Sequence, residues 1–213
     1  MVFFGVKNIV TRPTKQIYKN YTKEDFKVWN ILFKRQLKNL NDTVAEEFIV
    51  ALKELNFRAE KIPNFIEINN TLKNTTGWSI KTVPNISPPE EFFSYLSKKK
   101  FTTTCWLRSM SQIDYLEEPD MFHDVFAHVP LLSNKEYTSF FKEIGQIAMS
   151  VIDDSIKLKK LQRIYWFTIE FGLIKKHDKF KIYGAGIISS KEEYNNVLSN
   201  KSKKKKFDVN RVM

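Results

Sequence analysis

The stretch EPDMFHDVFAHVP, residues 118–130, contains two of the three histidines in a chain of 213 residues. His123 and His128 lie five positions apart, which places their side chains roughly 140° apart around an ideal α-helix. Two imidazoles so placed in mid-helix cannot bind one metal ion. The two imidazoles can bind one metal ion if His128 lies at the end of the helix. Pro130 favours such an end, because a proline disfavours helical geometry at the residue before it, here Val129. The spacing therefore fits either a metal pair at a broken helix end or two unrelated histidines.

A second unusual stretch, IYWFTIEFGLI at residues 164–174, is almost wholly apolar and contains one carboxylate, Glu170. A helix that is apolar on all sides is buried. An ionised carboxylate inside such a helix is costly unless it is paired or binds a metal. Arg163 or a lysine would satisfy Glu170 as an ion pair. Two histidines with Glu170 would instead form the facial triad of a non-haem Fe(II) enzyme, and Zn²⁺ accepts the same ligands.

The rest of the sequence favours a mainly α (α+β) fold, in which one domain of helices holds a small β-sheet. The chain has only 6 glycines against 18 phenylalanines, which argues against a turn-rich all-β protein. Capping boxes at Thr22/Asp25 and Thr43/Glu46 predict two helix starts. The predicted helices cover residues 22–40, 43–55, 63–72, 119–128, 134–149, 156–173 and 191–198, with another that begins at residue 88. Short strands are predicted at residues 77–84 and 101–107, with a strand pair around residues 180–188.

Composition also bears on compartment and partners. Cys105 is the lone cysteine, the N-terminus lacks the apolar region of a signal peptide, and no uncharged run is long enough for a membrane span. We therefore expect a cytoplasmic protein that does not bind a membrane. The net charge is +11, and six basic residues lie among the last 13. No aromatic residue separates these lysines, so we expect a solvated basic tail rather than a nucleic-acid site.

Three segments together resemble the pterin-dependent aromatic amino acid hydroxylases, above all the compact bacterial phenylalanine 4-monooxygenases. These are PDMFHDVFAHVPLL at 119–132, YWFTIEFGL at 165–173 and YGAGIISS at 183–190, with TGW at 76–78 and YLEEPD at 115–120 also in place. The resemblance implies a catalytic domain over residues 21–213, without the family's C-terminal end. It also implies an N-terminal extension over residues 1–20 and no regulatory domain.

The resemblance assigns roles to individual residues. It implies that His123, His128 and Glu170 are the catalytic iron ligands and that Asp120 orients the His123 imidazole. Arg108 matches the arginine that binds the substrate carboxylate, a task suited to a planar guanidinium. The remaining matches are the substrate-pocket residues Pro119, Trp166, Phe171 and Ser189 and the pterin-binding residues Phe92 and Asp124. Ala127 departs from the family, which usually has glycine before the second histidine.

The resemblance implies a monomeric monooxygenase that uses Fe(II), O2 and a tetrahydropterin to convert L-phenylalanine to L-tyrosine. Two alternatives remain open on the sequence. One is a tryptophan or tyrosine hydroxylase of the same family. The other is a truncated, non-catalytic relative that binds metal or amino acid. A zinc hydrolase is disfavoured because no glutamate adjoins the first histidine as it does in HExxH enzymes.

Overall fold

The computed structural model describes residues 12–213. Most of the described chain is helical, and two pairs of short strands lie among the helices, which confirms the predicted mainly α class. The α-helices are α1 (Lys23–Leu40), α2 (Glu46–Glu54), α3 (Phe65–Thr75), α4 (Pro89–Ser97), α5 (Lys135–Ser150), α6 (Ser155–Tyr165), α7 (Ala185–Ser189), α8 (Lys191–Leu198) and α9 (Val209–Val212). The strands are β1 (Ser79–Thr82), β2 (Lys100–Thr103), β3 (Leu173–Lys176) and β4 (Lys179–Ile182).

Helix α1 starts where the sequence predicts. Thr22 accepts a hydrogen bond from the Asp25 backbone N–H, and the Asp25 carboxylate accepts one from the Thr22 backbone in return. This reciprocal capping box satisfies backbone donors that a helix start leaves unpaired. The buried face of α1 carries Trp29 and Phe33, which pack against Phe122 and Phe126. Helix α1 is therefore the element against which the histidine-bearing segment is packed.

The strands form two separate two-stranded sheets. Strands β1 and β2 pair in parallel, with Ser79 opposite Lys100. Strands β3 and β4 form an antiparallel hairpin, with Leu173 opposite Ile182. A helix was predicted through residue 173 and strands around residues 180–188, and both predictions are wrong in part. The helical stretch ends at Glu170, and α7 occupies residues predicted as strand.

The start of α2 also differs from the prediction. Thr43 does not cap this helix, which begins after Ala45 without a side-chain cap. The Ala45 N–H donates to the Ile182 carbonyl at 2.8 Å, and the Ile182 N–H donates to the Thr43 carbonyl at 2.8 Å. Backbone pairing with the end of β4 thus holds residues 43–45 extended and delays the helix.

The predicted N-terminal extension falls partly outside the described residues, which begin at Arg12. Its described part binds the body of the protein. The Gln16 side chain donates to the Pro63 carbonyl at 2.9 Å, and the Tyr18 hydroxyl donates to the Ile62 carbonyl at 2.9 Å. Within residues 12–213, no helix is long and apolar enough to cross a membrane.

Candidate metal centre

The two histidines lie on a π-helical segment, Phe122–His128. A π-helix hydrogen-bonds from i to i+5 and is wound more widely than an α-helix, so residues five apart come onto one face. The sequence predicts that His128 reaches a shared metal only at a helix broken before Pro130. The π-helical winding instead brings the two imidazoles together within the helix. The π-helical segment is followed by a 3₁₀ turn, Pro130–Ser133. The Nε2 atoms of His123 and His128 are 3.3 Å apart.

Glu170 ends a second π-helical segment, Trp166–Glu170, which continues directly from α6. The side chain is buried, as predicted. Gly184 packs closely against the backbone of Glu170. A Cβ atom at Gly184 would lie 2.5 Å from the Glu170 carbonyl oxygen, so only glycine lets the start of α7 pack against this backbone. The position of Glu170 therefore depends on a glycine that faces it.

The three side chains converge on one point. A Glu170 oxygen lies 3.1 Å from Nε2 of His128, and the other lies 3.7 Å from Nε2 of His123. Arg163, the alternative partner considered from the sequence, is exposed, and the histidines are the basic groups within ion-pair distance of Glu170 among the described residues. The buried carboxylate thus lies against the two imidazoles rather than against an arginine or a lysine.

This donor set fits a divalent metal ion. Ligand atoms at right angles around an ion with bonds of about 2.1 Å lie about 3 Å apart. The two Nε2 atoms here are 3.3 Å apart, and the Glu170 oxygens nearest to His128 and His123 lie 3.1 and 3.7 Å from them, close to that spacing. Two neutral imidazole nitrogens and one carboxylate oxygen on one face leave the opposite face open, which is the arrangement of non-haem Fe(II) sites.

The electrostatics of the site favour its metal-binding protonation states. Burial raises the pKa of Glu170, but the adjacent His128 and His123 outweigh this and lower it to about 2. Burial lowers the pKa of His123, against the opposing attraction of Glu170. Burial also holds the pKa of Tyr165 well above its ordinary value, and Glu170 adds to that shift. Near neutral pH the carboxylate is therefore ionised and the His123 imidazole is neutral.

Ser189 orients the His123 ring. The Ser189 hydroxyl donates to the Ala185 carbonyl at 2.9 Å, and its oxygen lies 2.8 Å from Nδ1 of His123. Since the hydroxyl proton is committed to Ala185, Nδ1 of His123 donates and Nε2 is left with a free lone pair. Sequence reasoning expected Asp120 in this role. Asp120 instead accepts from the backbone N–H of His123 at 3.3 Å.

Asp120 holds Arg108 more firmly than it holds His123. Its carboxylate accepts from the Arg108 backbone N–H, from Nε and from Nη2, each at 2.9 Å. Asp120 is fully buried and Arg108 nearly so. The two charge-assisted bonds from Nε and Nη2 fix the plane of the guanidinium. Its Nη1 makes no hydrogen bond to the described residues, and the arginine lines the cavity in front of the metal site.

Asp124 lies beside the histidines and is bound to Thr104, the residue that follows β2. Its carboxylate accepts from the backbone N–H and the hydroxyl of Thr104, at 2.7 and 2.8 Å. Burial raises the pKa of Asp124, while His123 and Thr104 oppose the rise. Thr104 was not singled out from the sequence, because nothing in a threonine at that position marks a hydrogen bond to a residue 20 positions away.

A cavity of about 700 Å³ opens in front of the three donors. It brings together every pocket residue that the resemblance implied. Trp166 and Phe171 pack with ring centroids 4.8 Å apart, and Trp166 remains half exposed at the mouth. The Phe92 ring stands edge-on to Tyr165 at 5.2 Å. The predicted residues that line the cavity are Phe92, Arg108, Pro119, His123, Asp124, His128, Trp166, Glu170, Phe171 and Ser189.

Comparison with known proteins gives a consistent result. Residues 10–213 match the family described as biopterin-dependent aromatic amino acid hydroxylase. The phenylalanine-4-hydroxylase of Ralstonia nicotianae is 40% identical over 213 residues, which cover 98% of this chain and 68% of that protein. The chain spans about two thirds of the length of the curated bacterial relatives it matches.

Solved structures agree with this match. Phenylalanine hydroxylase from Chromobacterium violaceum bound to cobalt superimposes with a TM-score of 0.89 at 37% identity, covering 98% of this chain and 76% of that one. The same enzyme with bound iron(III) and the oxidised cofactor 7,8-dihydrobiopterin gives a TM-score of 0.83 at 39% identity, covering 89% and 69%.

Proposed function

The chain belongs to the family of biopterin-dependent aromatic amino acid hydroxylases, and from this premise we propose that it hydroxylates L-phenylalanine to L-tyrosine. The observation that carries the proposal is the convergence of His123, His128 and Glu170 at one end of a cavity that also holds Arg108. When bound there, iron and a reduced pterin supply the activation of O2. His123 and His128 would hold the iron through Nε2, and Glu170 through its carboxylate.

Arg108 binds the amino acid. Asp120 accepts from Nε and from one N–H of Nη2, so Nη1 and the second N–H of Nη2 are the donors left for a substrate carboxylate. Because Asp120 is buried and fixes the guanidinium plane, the head of the amino acid is held in one orientation. The substrate ring then extends toward the metal, and this fixed placement is the main contribution of the protein to the rate.

Apolar walls hold the aromatic ring and keep water from the reacting atoms. Pro119, Trp166 and Phe171 form these walls on the substrate side. Phe92 offers an aromatic ring on which a pterin can stack, since it is only partly buried and lines the cavity. Asp124, held by Thr104, is the acceptor for the pterin's N–H groups.

The remaining parts of the proposal concern the state of the protein in the cell. We place it in the cytoplasm, as a monomer. The lone Cys105 is buried, and burial raises the pKa of its thiol to about 11, so it stays protonated and unreactive. The apparent mass by light scattering after gel filtration tests the monomer directly, with 25.2 kDa expected.

The reaction is tested with purified chain, Fe(II), a tetrahydropterin, O2 and phenylalanine, with tyrosine measured by chromatography. His128→Ala removes a metal ligand and should abolish tyrosine formation. His177→Asn is the matched control, because His177 is exposed at the β3–β4 turn with φ of 46°, a conformation that asparagine tolerates. Tyrosine formation that survives in His128→Ala would refute the proposal.

The same assay distinguishes the alternatives. Tryptophan or tyrosine offered in place of phenylalanine should give little product. A chain that binds iron at the triad and forms product from none of the three amino acids would be a binding protein only.

A further inference from the structure

Gln36 is a buried polar residue that the proposed mechanism does not use. It lies on α1 and is completely inaccessible to solvent. Its Nε2 donates to the Ile188 carbonyl at 2.7 Å, across 152 positions of sequence. The acceptor is a carbonyl, so the nitrogen of the amide must be the atom that faces it. Its Oε1 finds no partner among the described residues, so this one bond is the polar contact that accounts for a glutamine here.

The bond ends next to the side chain that orients His123. Ile188 is the penultimate residue of α7, and the last carbonyls of a helix have no partner within it. Helix α7 has only five residues, so it has little stability of its own. Gln36 satisfies one of its terminal carbonyls from outside and thereby fixes the end of α7. The next residue is Ser189, whose hydroxyl lies 2.8 Å from Nδ1 of His123.

Helix α1 also holds His123 from the other side. Trp29 packs against Phe122 with ring centroids 5.5 Å apart, and Phe33 packs against Phe126 at 5.3 Å. Phe122 and Phe126 flank His123 on its π-helical segment. One helix therefore positions both the histidine and the serine that binds it, the first by aromatic packing and the second through Gln36.

We infer that Gln36 is a positioning residue of the metal centre, acting through Ile188 and Ser189 to keep the His123 ring directed at the metal. This inference rests on the proposed function, since it takes the triad to be a metal site. Loss of the Gln36 bond frees the end of α7, which lets Ser189 drift from Nδ1 and the ring rotate about its Cα–Cβ bond. The expected consequence is weaker metal binding with the fold intact.

The test is a Co(II) titration of the metal-free chain, followed by isothermal calorimetry and by the visible spectrum of the bound ion. Gln36→Leu, similar in volume but without a donor, should raise the Kd about tenfold, as the loss of outer ligand support does. Its cobalt spectrum should change. Asn30→Leu is the matched control: it removes a side-chain bond from α1 to the Ala59 carbonyl, remote from the site. Its Kd and spectrum should equal those of the wild type.

A double-mutant cycle with Ser189→Ala tests the route of the effect. If Gln36 acts through Ser189, then the double variant should bind cobalt no more weakly than Ser189→Ala alone. If the increases in Kd of the two single variants multiply in the double variant, the inference is overturned. It is also overturned if Gln36→Leu binds cobalt with wild-type affinity. Thermal unfolding of the metal-free chains shows whether each variant folds. If Gln36→Leu does not fold, the titration is repeated with Gln36→Met.

The two proposals fail differently. A wild-type chain that binds no Co(II) or Fe(II) would overturn the proposed function and this inference with it. Normal wild-type binding, unchanged by the loss of Gln36, would overturn the inference alone.

Discussion

The two ends of the cavity are built in different ways. Its metal floor (Asp120, His123, His128, Glu170 and Ser189) is held by buried hydrogen bonds from several elements. Its rim (residues 113–118 with Arg12, Arg35 and Lys191) is held by ion pairs whose carboxylates are more than half exposed. Arg35 donates to the Asp114 carboxylate at 2.6 Å, and Arg12 pairs with Glu118 while lying over the Trp106 ring.

The two kinds of contact suit two different tasks, which are holding the metal ligands and admitting the substrate. Buried charge-assisted bonds are strong and directional, because no water competes for them. Exposed ion pairs contribute little, because solvent screens them. A floor that must hold three donor atoms within tenths of an ångström needs the first kind. A rim that admits and releases an amino acid functions with the second.

The largest expected effect is at the floor. Glu170→Gln replaces the ionised ligand by a neutral amide, so the Kd for Fe(II) should rise by at least about 100-fold. Equilibrium dialysis under anaerobic conditions measures it. Glu47→Gln, which changes a partly exposed carboxylate remote from the cavity, is the control and should leave the Kd unchanged. Equal Fe(II) affinities in the two variants would show that Glu170 is not a metal ligand.

The next effect compares floor and rim in stability. Asp120→Ala leaves the buried Arg108 guanidinium unpaired and should destabilise the metal-free chain by about 3–5 kcal/mol. Asp114→Ala, whose side chain is 65% exposed, should cost less than about 1 kcal/mol. Urea unfolding monitored by circular dichroism gives both values. Similar losses in the two variants would show that the distinction between floor and rim is wrong.

A smaller effect is expected at the rim alone. Arg35→Ala removes the bonds to the Asp114 side chain and to the Ile113 carbonyl, so the loop that follows Arg108 loses a support. The KM for phenylalanine should rise about threefold, while kcat and the affinity for Fe(II) stay within twofold, because a loss of about 0.6 kcal/mol in binding is typical of an exposed pair. Steady-state kinetics test this. A fall in Fe(II) affinity would mean that the rim supports the floor.

The smallest effect sets a baseline for exposed pairs. The hydrogen bond from Lys176 lowers the pKa of Glu47 below its ordinary value of 4.5. The stability that this pair contributes is therefore present above the ordinary pKa and is lost as the pH falls through the lowered one. Between pH 6 and pH 3, the Tm of the wild type should fall about 1–2 °C further than that of Glu47→Gln. Differential scanning calorimetry checks the difference, and parallel curves would contradict it.

Sequence reasoning predicted the floor better than its supports. The ends of α1 and α8 were predictable because capping residues and apolar periodicity are local signals. The three metal ligands were identified through the resemblance to the hydroxylase family, because the histidine spacing and the buried carboxylate alone also fitted unrelated histidines and an ion pair. The π-helical winding that joins His123 to His128 has no such local signal, and the Pro130 argument gave the wrong reason for the right pair.

Contacts between residues far apart in the sequence could not be predicted from it. The sequence predicted Asp120 as the partner of the His123 ring, whereas the structure has Ser189 there, because of the way α7 packs. That segment was predicted as part of a strand pair broken at Gly184 and Gly186. In the fold, Gly184 instead allows close approach to the Glu170 backbone. Gln36 gave no signal at all, because a glutamine on α1 looks like a surface residue until its helix is packed.

The central claim is that two π-helical segments place three donors around one metal ion. Crystals grown with Fe(II) under anaerobic conditions test it, through an anomalous difference map at the iron edge. The account predicts a single strong peak per chain, within bonding distance of Nε2 of His123, Nε2 of His128 and the Glu170 carboxylate. A peak bonded to other residues, or no peak in crystals whose iron content is stoichiometric, would contradict it.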